Sequence, residues 1–337
     1  MSSPIVVDYS IIICTYNPDE RLLKRCLDAV AAFNIQDVRV ETIIVDNNSD
    51  IPLSGLDYVS GFLENTMNSS LIEVKQQGLN YARIGGLKAA RGKWLVFFDD
   101  DNEPDANYII TLNDLDSAYP HVAAWGPGRV AVEFIEGVEA HLESYAREAF
   151  QERNEKDIVY SNQQSFQSCY PYGTGLCLRK YYFEMYAVLA DAGHFSIVGR
   201  NGNQLSSGED TQVIFFCLSK GMAAGVAPEL KLSHLVPGKR TKFNYLKRLT
   251  FGTCVGYSTC RLEVFPEYKA ELLGRVMPSG RFAFKAVKKY CLLFFKRKPR
   301  KAFALVEYLA SICGDYRALN LKVPSIVNVI LRKLKAI

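Results

Sequence analysis

Three consecutive carboxylates, Asp99-Asp100-Asp101, follow directly on the apolar run Val96-Phe97-Phe98. Carboxylates a few ångströms apart repel one another, so they either rise in pKa or recruit a counter-charge. A hard divalent cation, Mg²⁺ or Mn²⁺, takes such oxygens and keeps positions open for phosphates. If the backbone stays extended through the cluster, Asp99 and Asp101 point one way and Asp100 the other. The same residues also suit a solvated acidic turn capping a helix that starts near Pro104. A second acidic pair, Glu209-Asp210, sits in Gly208-Glu209-Asp210-Thr211, which opens a helix over Gln212 to Lys220. There a carboxylate faces the positive helix terminus and suits a capping role. His234, one of four histidines, lies on a short strand over Lys231 to Leu235.

These groups need a scaffold, and the first hundred residues describe one. Compact apolar runs at Tyr9 to Cys14, Thr42 to Val45, Leu71 to Val74 and Trp94 to Phe98 read as strands. Between them Leu22, Leu23, Cys26, Leu27 and Val30 recur at helical spacing, and a second helix is expected from about Asn80 to Ala90. Strands separated by helices imply right-handed crossovers and a mainly parallel sheet, whose ligands bind beyond the strand C-termini. Thr15-Tyr16-Asn17, Asp46 to Asp50 and Asp99 to Asp101 all fall at such ends. A dinucleotide-binding dehydrogenase would place a glycine fingerprint after the first strand, but that turn reads Cys14-Thr15-Tyr16-Asn17-Pro18. No G-x-x-x-x-G-K-[ST] occurs either, which excludes a P-loop. Further on, Gly173-Thr174-Gly175 enters another strand, Gly199 to Gly208 is a polar loop, and amphipathic basic helices dominate from about Thr241, among them Lys285 to Lys301.

Composition is that of a globular chain: 337 residues, 48% apolar and 23% charged, enough for one large domain with an appendage or for two domains. Net charge is +4, but its distribution is uneven. From Lys239 onward 22 Lys/Arg face 5 Asp/Glu, giving +17, while everything before carries −13. Such a basic segment is drawn to anionic headgroups or to phosphorylated partners. The nine cysteines are odd in number and form no C-x-x-C pair, which argues against a disulfide framework or a zinc site and fits reduced core thiols. The N-terminus reads without a signal peptide, and no apolar window reaches the ~18 residues of a membrane span.

Taken in order, four pieces resemble the family 2 glycosyltransferases of the GT-A fold over roughly residues 8 to 238. They are Ser10 to Asn17, Val45-Asp46-Asn47-Asn48-Ser49, Asn80-Tyr81-Ala82-Arg83 leading through Ala89-Ala90-Arg91-Gly92 to the triple aspartate, and Ser207-Gly208-Glu209-Asp210. The resemblance implies a Rossmann-like mixed sheet flanked by helices and an inverting transfer of a sugar from a UDP- or dTDP-sugar to an acceptor hydroxyl. It makes Asp99 and Asp101 the D-x-D motif. Asp101 would bind the Mn²⁺ or Mg²⁺ that bridges the donor diphosphate, with Asp99 and His234 as further ligands. The donor would be held by Thr15, Tyr16, Asn17, Asp46, Asn48, Arg83, Asp99 and Asp100, with Asp46 and the Thr15-Tyr16 turn on the base. Asp210 would be the general base, with Glu209 beside it. Gly173, Thr174 and Gly175 stand where the acceptor loop usually carries Asn or Gly-Asn, a departure from the family pattern.

The expected organisation is a catalytic domain over 1–238, divided into a nucleotide-binding half 1–105 and an acceptor half 106–238, followed by a basic helical region 239–337. The family and the expected soluble character point to bacterial surface polysaccharide assembly in the cytoplasm, on a glycan or lipid-linked glycan acceptor and without nucleic acid. The basic region, with Phe282, Phe284, Leu292, Leu293, Phe294 and Phe295 among its cations, is expected either to contact the inner face of an anionic membrane or to pack on the catalytic domain. A non-catalytic sugar-nucleotide or glycan-binding module of the same fold is the alternative, which the presence of Asp210 together with the aspartate cluster argues against. A nucleotidyltransferase would need a glycine-rich basic loop near the N-terminus, and none is present.

Overall fold

Seven successive buried residues, Tyr-Ser-Ile-Ile-Ile-Cys-Thr, form the central strand β1 (Tyr9–Thr15), since a parallel strand covered on both faces reads as a continuous apolar run. The computed structural model describes residues 7–196, 205, 207–295 and 299–337, without the side chains of 294 and 295. After β1 come α1 (Glu20–Ala31), β2 (Val40–Asp46), α2 (Asp57–Asn65), β3 (Ser69–Glu73), α3 (Leu79–Ala89), β4 (Trp94–Asp99), β5 (Asn102–Pro104), α4 (Tyr108–Ala118) and β6 (Val122–Phe134). The chain continues through α5 (Glu143–Ala149), β7 (Arg153–Asn154), β8 (Val159–Ser161), β9 (Leu176–Arg179), α6 (Lys180–Asp191), α7 (Glu209–Ser219) and β10 (Ala223–Val236). It ends in helices: α8 (Phe243–Val255), α9 (Tyr257–Val264), α10 (Tyr268–Arg275), α11 (Ser279–Phe295), α12 (Pro299–Ala318) and α13 (Ser325–Lys333). Two compact units result, one of Met1–Glu133, Gln151–Gly193 and Phe216–Leu235, the other of Phe134–Phe150, His194–Phe215 and Val236–Ile337.

The first unit is built on one mixed sheet in the order β3-β2-β1-β4-β9-β6-β10-β5, with β7 on β6 and β8 on β10. The β3-β2-β1-β4 half is parallel, as the strand-helix alternation predicts. Beyond β4 the sheet turns antiparallel: β9 runs against β4 and β6, and β5 against β10. On one face α1 and α4 bury Leu23, Cys26, Leu27, Ile109 and Leu112 against Ile11, Ile13, Phe98, Trp125 and Leu232. Each such buried side chain contributes about 1.5–3 kcal/mol. On the other face α3 lies so close to β1 that a Cβ on Gly86 would stand 2.5 Å from Ile12 Cγ2.

The strand bearing His234 is longer than the expected Lys231 to Leu235, extending back to Ala223 through Gly225 and Pro228, residues that read in sequence as breaks. Pro104 ends β5 instead of starting a helix, and α4 begins four residues later. In the second unit helix is described on either side of residues 296–298 of the expected Lys285 to Lys301 segment, as α11 and α12, and 296–298 themselves lie outside the described residues. The helical core there gathers Phe251 and Val255, Phe282 and Ala286, Val306 and Leu309, and Ile330 and Leu331. Tyr145 stacks on Phe303 at 3.7 Å, and buried Lys247 donates to the Leu334 carbonyl. Among the described residues no helix is long and apolar enough to cross a membrane.

Candidate active site

Register brings the polar ends of the parallel strands together. Thr15 lies opposite Asp46 of β2, and its neighbour Cys14 lies opposite Asp99 of β4. The turns that follow are tied to one another. Asp46 is buried and accepts from the backbone N–H of Ser49 at 2.9 Å and of Leu53 at 3.0 Å, so both carboxylate oxygens shape their own loop. Asn17, with φ +48°, pairs its amide with Asp50, donating at 2.8 Å and accepting the Asp50 N–H at 2.8 Å. Asn48 takes φ +64° and is exposed. Tyr16 is also exposed, at the rim of the same turns. Asn47, which the motif reading passed over, is buried. It donates to the Val74 and Gln76 carbonyls and accepts the Gly78 N–H at 2.7 Å, clamping the segment that leads into α3.

The aspartates do not alternate as an extended strand would place them. β4 stops at Asp99, whose N–H donates to Asn102 Oδ1 at 3.2 Å, and the chain turns through Asp100 and Asp101 before β5. Asp100 consequently reaches back to β1 and accepts from the Thr15 hydroxyl. Asp101 goes the other way, into the sheet: it is buried, accepts from Asn102 Nδ2 at 3.0 Å, and has His234 Nε2 3.6 Å from its other oxygen. Antiparallel pairing of β5 with β10 sets this up, because His234 faces Asn102 and the Leu235 N–H donates to the Asp101 carbonyl at 2.8 Å. Arg83, buried on α3, stacks its guanidinium over Phe97 at 5.6 Å. Burial pushes the Cys14 thiol up to about 12, opposed by Arg83 and reinforced by Asp99 and Asp100, so these charges all surround the end of β1.

The expected metal ligands Asp99, Asp101 and His234 are not drawn into one cage. Among the described residues no group of three or more His, Cys, Asp or Glu side chains could by itself hold a metal ion. The chain turns directly after Asp99, so the alternation of an extended backbone does not hold across the cluster. What remains fits a hard cation of the Mg²⁺ type all the same, because such ions are commonly held by one or two carboxylates with substrate phosphates completing the shell. Buried Asp101 supplies the first of these, with an imidazole at its side.

Gly173, Thr174 and Gly175 are all buried. Gly175 takes φ +67°, and its carbonyl accepts from Tyr108 Oη at 2.6 Å. A Cβ there would meet Leu232 Cδ2 at 2.6 Å, so this glycine serves conformation and close approach. The exposed residue of that loop is Tyr172.

In the second unit Glu209 and Asp210 occupy the first turn of α7, as expected. Glu209 is buried and accepts the Gly208 N–H at 3.0 Å, a capping contact, while Asp210 is only half-buried. Fully buried Gln212 donates to Glu263 of α9 at 2.6 Å. Burial raises the Cys260 thiol well above its ordinary value, and Glu209, Asp210 and Glu263 raise it further, so three carboxylates gather around this helix start. Most of the polar loop Gly199 to Gly208 lies outside the described residues. Glu263 and Gln212 carry no motif and are found only through the packing of α9 on α7.

Residues 10–172 match the profile of glycosyl transferase family 2. Among solved structures, a mannosyltransferase from Pyrobaculum calidifontis in complex with GDP-Man and Mn²⁺ superposes with a TM-score of 0.52 at 15% identity, over 94% of this chain and 91% of that one. Residues 1–349 of S. aureus TarS give 0.49 at 14% identity, over 98% and 90%. The same TarS fragment in complex with UDP-GlcNAc gives 0.48 at 17% identity, over 98% and 85%. No curated protein sequence matches the chain. The fold is that of the GT-A glycosyltransferases, with its curled mixed sheet between helices.

Proposed function

From the match of residues 10–172 to the family 2 glycosyltransferase model, we propose an enzyme that moves a sugar from a UDP- or dTDP-sugar to an acceptor hydroxyl with inversion. Its setting is bacterial surface polysaccharide assembly, on a glycan or lipid-linked glycan at the cytoplasmic face of the membrane. The observation that carries this reading is the gathering of Thr15, Asp46 and Asp99 in neighbouring register positions with buried Asp101 and His234 alongside. Sheets of this kind bind ligands beyond their strand C-termini.

Each residue has its own part. The loops fixed by Asp46, Asn47 and Asn17 form the floor against which the nucleoside lies, with Tyr16 exposed at its edge. Arg83, Asp99 and Asp100 flank the diphosphate. Asp101 would hold a Mn²⁺ or Mg²⁺, with Asp99 and His234 near it. A divalent ion supplies Lewis-acid stabilisation of a departing diphosphate. Asp210 takes the proton of the acceptor hydroxyl as that oxygen attacks the anomeric carbon from the face opposite the nucleotide, a contribution of typically about 10²- to 10⁴-fold. Glu209, engaged with the Gly208 N–H, holds the helix start that carries Asp210. The Pyrobaculum calidifontis structure of the same fold, with its GDP-Man and Mn²⁺, supports testing a nucleotide together with that ion.

Thermal-shift titration with UDP, dTDP and GDP, each with and without Mn²⁺, tests the reading. The expected result is a midpoint rise with UDP or dTDP that requires Mn²⁺ and disappears in Asp101→Ala. Nucleotide binding by that variant equal to wild type in excess chelator would overturn the assignment. Donor binding with no transfer to any glycan acceptor would leave the binding module as the correct description.

A further inference from the structure

Helix α11 has two apolar faces, and among the described residues only one of them is buried within its unit. Phe282 and Ala286 are fully buried in the helical core, with Tyr290 and Leu293 packed against it. Turned away from these are Phe284, 68% exposed, Val287, 39%, and Leu292, 56%, with exposed Cys291 between them. Spacings of three, four, seven and eight residues put these side chains along one stripe of the helix. Arg281 and Lys288 lie among these side chains and Lys285 beside Leu292, while Lys289 lies over the Tyr308 ring at 4.6 Å. No Asp or Glu occurs anywhere in α11. Helix α13, which packs on α11, repeats the pattern: Ile326 and Val329 are 41% and 42% exposed, and Arg332 and Lys333 are exposed with them.

We infer that this outer face of α11 is a docking surface for an anionic lipid bilayer, with Phe284, Val287 and Leu292 entering the headgroup boundary and Arg281, Lys285 and Lys288 meeting the phosphates. Charge complementarity selects the occupant. Apolar side chains interleaved with cations and free of acids describe an interfacial helix, whose binding draws on both apolar burial and attraction to anionic lipid. The +17 of the segment from Lys239 onward carries that attraction beyond the single helix. A purely solvated basic face would have no reason to expose a Phe and a Leu beyond half their surface on the same helix. The inference is independent of the donor assignment, since it concerns only the second unit.

Co-sedimentation of the full chain with vesicles of phosphatidylcholine, with and without phosphatidylglycerol, tests it at low and high salt. The wild type is expected to pellet with phosphatidylglycerol vesicles, to remain in the supernatant with phosphatidylcholine alone, and to be released by salt. Phe284→Ser with Leu292→Ser should lower the partition coefficient at least ~10-fold, and Lys285→Glu with Lys288→Glu by a comparable factor, while thermal midpoints stay at the wild-type value. All four positions are solvent-facing or half-buried, so loss of binding is separable from loss of fold. Equal binding to both vesicle types, no binding to either, or undiminished binding by the apolar double variant would each refute the proposal. If sedimentation velocity shows a wild-type dimer that the apolar variant converts to monomer while vesicles are ignored, the face belongs to a second copy of the chain and the lipid assignment is wrong.

Discussion

Asn47 donates to the Val74 and Gln76 carbonyls and accepts from the Gly78 N–H, so one buried amide holds the segment that leads into α3 and Arg83. Removing it leaves backbone groups unsatisfied in a buried place, a loss of about 1–3 kcal/mol. Asn47→Ala should lower the unfolding free energy from a urea melt by that amount and weaken nucleotide affinity as well, because the floor of the site shifts. Unchanged stability would show that water replaces the amide. A second residue-scale expectation concerns chemistry alone. Asp210→Asn keeps the shape of the α7 start and the capping contact of Glu209, so it should fold and bind donor as wild type does, yet transfer at least ~10²-fold more slowly. Near-native turnover would move the proton acceptor to Glu209 or Glu263, the carboxylates beside it.

At the scale of elements, two helical glycines make opposite predictions. A Cβ on Gly86 of α3 would stand 2.5 Å from Ile12 Cγ2 and 3.4 Å from Val45 Cγ2, so α3 can lie on β1 only without it. Gly86→Ala should cost about 1–3 kcal/mol and carry Arg83 away from the strand ends, which nucleotide titration would register. A Cβ on Gly61 of α2 meets nothing within 4 Å, and Gly61→Ala should stabilise by about 0.4–1 kcal/mol by restricting the unfolded chain. Destabilisation by the second or neutrality of the first in a denaturant melt would contradict the packing. β1, β2 and β4 of the parallel half were legible because each holds an apolar run that ends in a polar turn: the expected Tyr9 to Cys14 and Thr42 to Val45 differ from β1 and β2 by one or two residues at the ends. The antiparallel half was not legible. β6 runs through Gly126-Pro127-Gly128 and β10 through Gly225 and Pro228, which read as turns. Their glycines are there for close approach, since a Cβ on Gly128 would stand 2.6 Å from the Ala227 carbonyl carbon. The candidate site was read as a set of residues, but its geometry depended on a turn. The strand end was legible, since the expected Trp94 to Phe98 stops one residue short of β4, but nothing in Asp99-Asp100-Asp101 says that the turn sends Asp100 to Thr15 and Asp101 to His234. The basic region shows the same limit. Phe282 and Phe284 looked equivalent in sequence, and only the helical phase of α11 sends one into the core and the other to solvent.

Across the whole molecule, titratable groups bound the pH range of stability from both sides. On the acid side, hydrogen bonds from Arg39 hold the Asp8 carboxyl below its ordinary value, and those from Arg25 do the same for Glu133. Burial would raise the Glu41 carboxyl, but hydrogen bonds from Ser10 and Arg91 outweigh it and keep it low. A depressed folded-state pKa contributes stability that is present above the unfolded value and lost as pH falls through the folded one. On the alkaline side, burial pushes the Cys14 and Cys217 thiols of the first unit up to about 12 and the Cys254 and Cys313 thiols of the second up to about 11. A raised pKa has the opposite sign: its contribution is complete below the ordinary thiol value of 9.0 and disappears as pH climbs toward the folded value. Cys26, Cys177 and Cys260 are raised in the same direction, so more groups titrate on this side than on the other, and both units carry them. Urea midpoints measured under reducing conditions should therefore be flat from about pH 5 to about pH 9, fall gently below that range, and fall more steeply above it. Stability that stayed level between pH 9 and pH 11 would mean that the thiols ionise as freely in the folded protein as in the unfolded chain, and the buried cores of both units would be wrong as described.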